Sequence, residues 1–162
     1  MNANGRIDIK KPTEMAPAEL KAIEDLITAG GEVPKRAVHL GLPKAELVAV
    51  IQFGNHIKAA AVIKNPTVSH RRTVSTESGY KLSDRHRELG YIVVHSSSRH
   101  TGLGRLVTES LLAKQDSPLF ATTRVDNSAI HKILKKNGFR RVGKEWASGA
   151  RDAKLILWTK DL

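Results

Sequence analysis

No cysteine occurs in the 162-residue chain, which removes disulfides, thiolate metal sites and any mechanism that carries an acyl group on a protein thiol. Aromatic side chains are scarce as well, at 4% of residues, too few for a base-stacking platform along a single strand. Long apolar runs are missing. No stretch approaches the roughly 18 residues of a membrane span, and the basic opening residues lead into no apolar segment of the kind a secretion signal needs. The expectation is a soluble, cytoplasmic protein with no membrane partner. Acidic residues are the last shortage: 16 Asp and Glu stand against 27 Lys and Arg, a formal charge of +11. Such an excess favours polyanionic partners, whether nucleic acid, acidic lipid or a phosphorylated cofactor.

What is present is enough for one ordinary core, with 40% apolar residues and neither repeats nor a dividing linker. A single domain over residues 1–162 is expected, with helices over about 16–40 and the main body over about 46–162. Leu20, Ile23, Leu26 and Ile27 at helical spacing, Pro17 before them and Gly30-Gly31 after them predict a helix over 16–28. A short second helix is expected over 34–40. Two apolar stretches between residues 46 and 64 meet at Gly54-Asn55 and read as a hairpin. Residues 66–87 are polar, basic and rich in Ser, Thr and His, and read as a surface excursion with room for short structure that the sequence does not place. The pattern continues with a strand over 89–94, a helix over about 103–113, a strand over 119–122 and a helix over about 127–136. Two strands, about 139–146 and 153–158, flank a turn at Ser148-Gly149. This order predicts an α/β (α+β) architecture with a mixed sheet.

The informative segment is the strand that runs through Arg99, His100, Thr101, Gly102, Leu103 and Gly104 directly into an amphipathic helix. Such a turn aims successive backbone N–H groups and the positive end of a helix at one point, which suits a pyrophosphate. Gly102 and Gly104 would let the ligand approach the backbone, while Arg99 and Arg105 add charge. An ordinary glycine turn before a helix is the plainer alternative. The segment lacks the Gly-Lys-Ser/Thr ending of a P-loop and the spacing of the dinucleotide fingerprint, so nucleotide hydrolysis and hydride transfer are disfavoured.

With these residues in view, the chain resembles the GNAT acetyltransferases, which carry Arg/Gln-x-x-Gly-x-Gly/Ala between their fourth strand and third helix. Arg99, Gly102 and Gly104 occupy those positions. Downstream, Asn127 opening a helix and Gly138-Phe139 closing it match a second family feature. The resemblance implies a mixed, mostly antiparallel sheet flanked by helices, whose fourth and fifth strands splay to form a cleft for acetyl-CoA. It implies that pantetheine bonds the backbone of Val93, Val94, His95 and Ser96 as an added strand would. The pyrophosphate would sit on the residues from Arg99 to Arg105, and Asn127 and Ile130 would line the cofactor wall. Asn127 reads equally well as a helix N-cap.

Acetyl transfer needs a neutral amine and a stabilised leaving thiolate. Glu88 stands where several relatives place a general-base Glu, and His95 is a second candidate. The tyrosine that many members use as an acid is replaced here by Leu134, and Tyr91, Ser128, His131 or water are the substitutes. The implied activity is N-acetylation of a primary amine on a small molecule or protein, with acetyl-CoA as co-substrate and no metal. A nucleic-acid-borne acceptor such as an aminoacyl-tRNA, a non-catalytic CoA-binding module and a homodimer stay open.

Overall fold

The hairpin expected around Gly54-Asn55 forms, as β2 (Leu47–Phe53) and β3 (His56–Lys64) paired antiparallel. It belongs to the first of two packing units in this computed structural model, which describes residues 5–149 and 152–161. That unit holds the described residues up to Asn65 together with Leu89–Gln115. The second holds Pro66–Glu88 and the described residues from Asp116 onward.

In the first unit, β1 (Gly5–Lys10) pairs antiparallel with β2. No strand is expected there from the sequence, although Ile7 and Ile9 alternate with Arg6, Asp8 and Lys10 in the period of a half-buried strand. β2 and β3 are covered on both faces, so they read as continuous apolar runs. Val48, Val50, Ala60 and Val62 join Ile23, Leu26, Ile27 and Val38 of α1 (Pro17–Ala29) and α2 (Lys35–Gly41). Alternation turns Ala49, Ile51, Ala59 and Ala61 to the other face, where α4 (Leu103–Leu112) packs with Leu103, Val107 and Leu111 buried. The helix N-terminus is therefore fixed by three buried anchors on its own stripe. The strand order here is β1-β2-β3-β4, with β4 (Arg87–Val94) entering the unit at Leu89.

The second unit contains the largest departure from the sequence reading. Residues 66–87 include an 11-residue helix, α3 (Val68–Ser78). Only Val74 and Ser78 of it are buried, so no apolar stripe marks it. Its signals are terminal: Thr67 Oγ1 accepts the His70 N–H at 3.1 Å, and Gly79 caps the end. The sheet runs β4-β5-β7-β6, with β5 (Leu119–Arg124), β6 (Arg140–Ala147) and β7 (Lys154–Lys160). Phe120 and Leu157 meet Val74 and Leu82 on one face. Leu134 of α5 (Ser128–Lys136), Phe139, Ile156 and Trp158 are buried as well.

The pairing of β4 with β5 is parallel and is found at Arg87↔Leu119 and Glu88↔Phe120. All the other registered pairs are antiparallel, so the seven-stranded arrangement is mixed and mostly antiparallel, as expected. Ser148 N–H bonds the Ala153 carbonyl across the last turn at 2.8 Å, while residues 150 and 151 within it lie outside the described set. Among the described residues, no helix is long and apolar enough to cross a membrane.

Candidate functional site

The strand-to-helix turn lies wholly within the first unit. β4 stays attached to β3 at its end, where the His95 N–H bonds the Lys58 carbonyl at 2.7 Å. Ser96–Ser98 then make one 3-10 turn, Arg99 is extended, and His100 takes a positive φ of 62°. Gly102 caps α4 with φ +84° and offers no side chain to the helix end. The first helical bond there runs from Leu106 N–H to the Gly102 carbonyl at 3.0 Å. The N–H groups of Leu103, Gly104 and Arg105 precede it and are the donors an anion would use. Nothing lies within 4 Å of the place a Gly102 Cβ would occupy. Thr101 Oγ1 donates to the Ser98 carbonyl and closes the loop. Arg105 pairs with Glu109 at 3.6 Å, while Arg99 is exposed and has no acidic partner among the described residues. One pyrophosphate fits this set: fixed donors, open space and a free cation.

Ahead of the turn, Tyr91 has φ 49°, a left-handed backbone that L side chains rarely adopt. The distortion is held from the side. Lys64 Nζ stands 4.5 Å from the Tyr91 ring centroid, the hydroxyl packs on Gly41, and Val93 packs on Gly30. Val93 and Val94 are half-buried. The His95 imidazole is engaged locally, with Nδ1 accepting the Ser97 N–H at 3.1 Å and meeting Ser97 Oγ at 2.8 Å. It acts as a cap for the 3-10 turn.

Glu88 belongs to the second unit and is not solvated. It is 5% exposed, and its Oε2 lies 2.6 Å from His70 Nε2 on α3. Sequence reasoning missed His70, since nothing in a spacing of 18 residues marks it and the contact exists only because α3 docks. Asn127 Oδ1 accepts the Ile130 N–H at 3.3 Å, so the N-cap geometry is formed, with Ile130 half-buried. Leu134 is fully buried and its carbonyl accepts the Phe139 N–H at 3.0 Å, which leaves the usual acid position with an apolar core residue. His131 Nε2 must carry a proton, because it donates to the Arg124 carbonyl at 3.0 Å. Ser128 is exposed, whereas the Tyr91 hydroxyl lies in the first unit against Gly41. A groove beside α5, lined by His131, Lys135, Phe139, Arg141 and Trp158 among others, touches none of the residues expected to hold cofactor.

No protein-family model matches the chain, and no curated protein matches it. Solved structures do match. An acyl-CoA N-acyltransferase from Pseudomonas aeruginosa is 18% identical, covers 96% of this chain and 99% of its own, and superposes with a TM-score of 0.71. ElaA of Escherichia coli is 12% identical over 97% of this chain and 99% of its own, with a TM-score of 0.68. A GNAT family acetyltransferase from Elizabethkingia anophelis, solved with acetyl-CoA bound, is 16% identical, covers 99% and 100%, and has a TM-score of 0.65.

Proposed function

We propose that this chain, which has the fold of the GNAT N-acetyltransferases, moves the acetyl group of acetyl-CoA to a primary amine. The observation that carries the reading is the turn from Arg99 to Arg105: left-handed Gly102, uncapped N–H groups at the start of α4 and an unpaired arginine. Those residues hold the pyrophosphate, and the main chain of Val93, Val94, His95 and Ser96 bonds the pantetheine arm. Acetyl-CoA supplies an activated acyl group, so the protein has only to bind it, orient the amine and remove a proton. The resemblance adds Asn127 and Ile130 to the cofactor contacts.

Calorimetry with acetyl-CoA should give a dissociation constant in the micromolar range, about −8 kcal/mol, without added metal. Gly102→Val combined with Gly104→Val should abolish that binding while unfolding stays cooperative. No binding by the wild-type protein would overturn the reading.

A second reading, an acceptor borne on nucleic acid, draws support from Arg72, Lys81 and Arg85. All three are exposed in the second unit, and none has an acidic partner among the described residues. Retention of tRNA that falls steeply with salt would favour it, whereas turnover of small amines with no tRNA retention favours the first.

A further inference from the structure

We infer that the groove beside α5 docks folded RNA, with its cations laid along the phosphodiester backbone. The inference rests on the second reading above, an acceptor borne on nucleic acid, and names the surface that holds the carrier. Residues 127–144 contain six Lys and Arg and no acid, whereas the other 144 residues contain 21 cations and 16 acids. One helix and the start of the next strand therefore carry more formal charge than the rest of the chain together.

Placement turns that count into a surface, all of it within the second unit. Lys135 of α5 and Arg140 and Arg141 at the start of β6 line the groove, and all three are exposed. Lys132, Lys136 and Lys144 continue the run. None of the four lysines has an acidic partner among the described residues. Arg140 reaches Asp161 at 3.8 Å and Arg141 reaches Glu145 at 3.5 Å, exposed pairs of the kind that contribute little and yield to a denser anion.

Helix chemistry accounts for part of this charge. Lys135 and Lys136 lie in the last turn, where a cation complements the carbonyl end of α5. That role does not extend to Lys132, Arg140, Arg141 or Lys144. Lys132 also stands four residues before Lys136, a like-charge spacing that weakens a helix and that a bound polyanion offsets.

The floor of the groove decides what kind of anion fits. Phe139, Ile156 and Trp158 are buried and fill it, so a ligand lies across the charged rim and does not enter a cavity. Val125 is the one exposed large apolar side chain among the described lining residues, too little to anchor an apolar peptide or enter a lipid surface. With no exposed aromatic ring there, unpaired bases have nothing to stack on, which favours a paired stem. The deep, narrow groove of an A-form stem brings phosphates of both strands close together, a denser row of charge than B-form DNA offers.

The test uses the full chain with unfractionated tRNA, a short DNA duplex, polyglutamate and phosphatidylserine vesicles as probes. At about 0.1 M salt, tRNA should bind with a dissociation constant of about 1–10 μM, and its affinity should fall steeply as salt rises. Lys135→Glu with Arg141→Glu should weaken that binding about tenfold or more and lower the log–log salt slope by about 2, while acetyl-CoA affinity holds. Lys11→Glu with Lys114→Glu removes the same charge from exposed sites of the first unit and should change affinity by less than about threefold. An equal loss in that control would mean that net charge alone is read. A loss confined to Lys81→Glu with Arg85→Glu would move the contact to the segment between α3 and β4. Either result overturns the groove and leaves the reading of an RNA-borne acceptor intact. Tighter binding of the DNA, polyglutamate or vesicles than of tRNA overturns the groove's assignment to RNA as well. No retention of tRNA would remove both the inference and that second reading, while acetyl-CoA binding would still support the first.

Discussion

Gly102 and Gly143 show how one residue type serves two purposes. At Gly102 the demand is conformational: φ is +84° and the space toward a Cβ is empty. A left-handed backbone costs an L side chain about 1–2 kcal/mol. Gly102→Ala should therefore fold with a melting temperature a few degrees lower and bind acetyl-CoA about tenfold more weakly, as the first N–H groups of α4 shift their aim. Calorimetry and thermal unfolding check this, and an unchanged affinity would make the turn merely structural. Gly143 combines φ +69° with a steric limit, because a Cβ there would run into the Ser78 backbone carbonyl. Gly143 and Ser78 both belong to the second unit, where α3 packs on β6. Gly143→Ala is expected to destabilise by about 2–4 kcal/mol, read from the urea midpoint. A loss below about 0.5 kcal/mol would show that the irregularity in β6 yields freely.

Among the elements, α3 depends most on its ends. With Val74 its one buried apolar residue, packing alone supplies little, and the Thr67 cap satisfies a first-turn N–H that belongs to His70. Thr67→Ala should cost about 1 kcal/mol and raise amide exchange over the first turn. α4 behaves differently. Its buried Leu103, Val107 and Leu111 pin the turn from behind, so a small change at half-buried Ser110, such as Ser110→Ala, should leave both stability and binding within error.

For the whole molecule, the order of chain segments matters more than any one contact. The chain passes between units at residues 65/66, 88/89 and 115/116, so neither unit is a continuous piece. A chain ending at Gln115 keeps every segment of the first unit but loses Phe120 and Leu157, the partners of Val74 and Leu82. Hydrogen exchange on it should show α1 and α4 protected and α3 unprotected. Protection of α3 in that fragment would mean the helix is stable by itself, against its weak apolar face.

Much of this protein was legible in the linear order of residues. Apolar periodicity marked α1, α4 and α5, and unbroken apolar runs marked β2 and β3, because burial on one stripe or on two faces leaves a local trace. The turn from Arg99 to Gly104 was legible for the same reason: a backbone that bends through a left-handed residue into a helix needs glycine at fixed spacing. α3 and β1 were not read. The first is polar on nearly every face, and the second is six residues long, its alternation carried by two isoleucines. Tertiary structure alone decided that Glu88 is buried against His70 and that Leu134 fills the core. A carboxylate and an imidazole 18 residues apart carry no mutual signal in sequence. Their 2.6 Å approach follows from where a helix docks on a sheet, and docking is a property of surfaces assembled from distant segments.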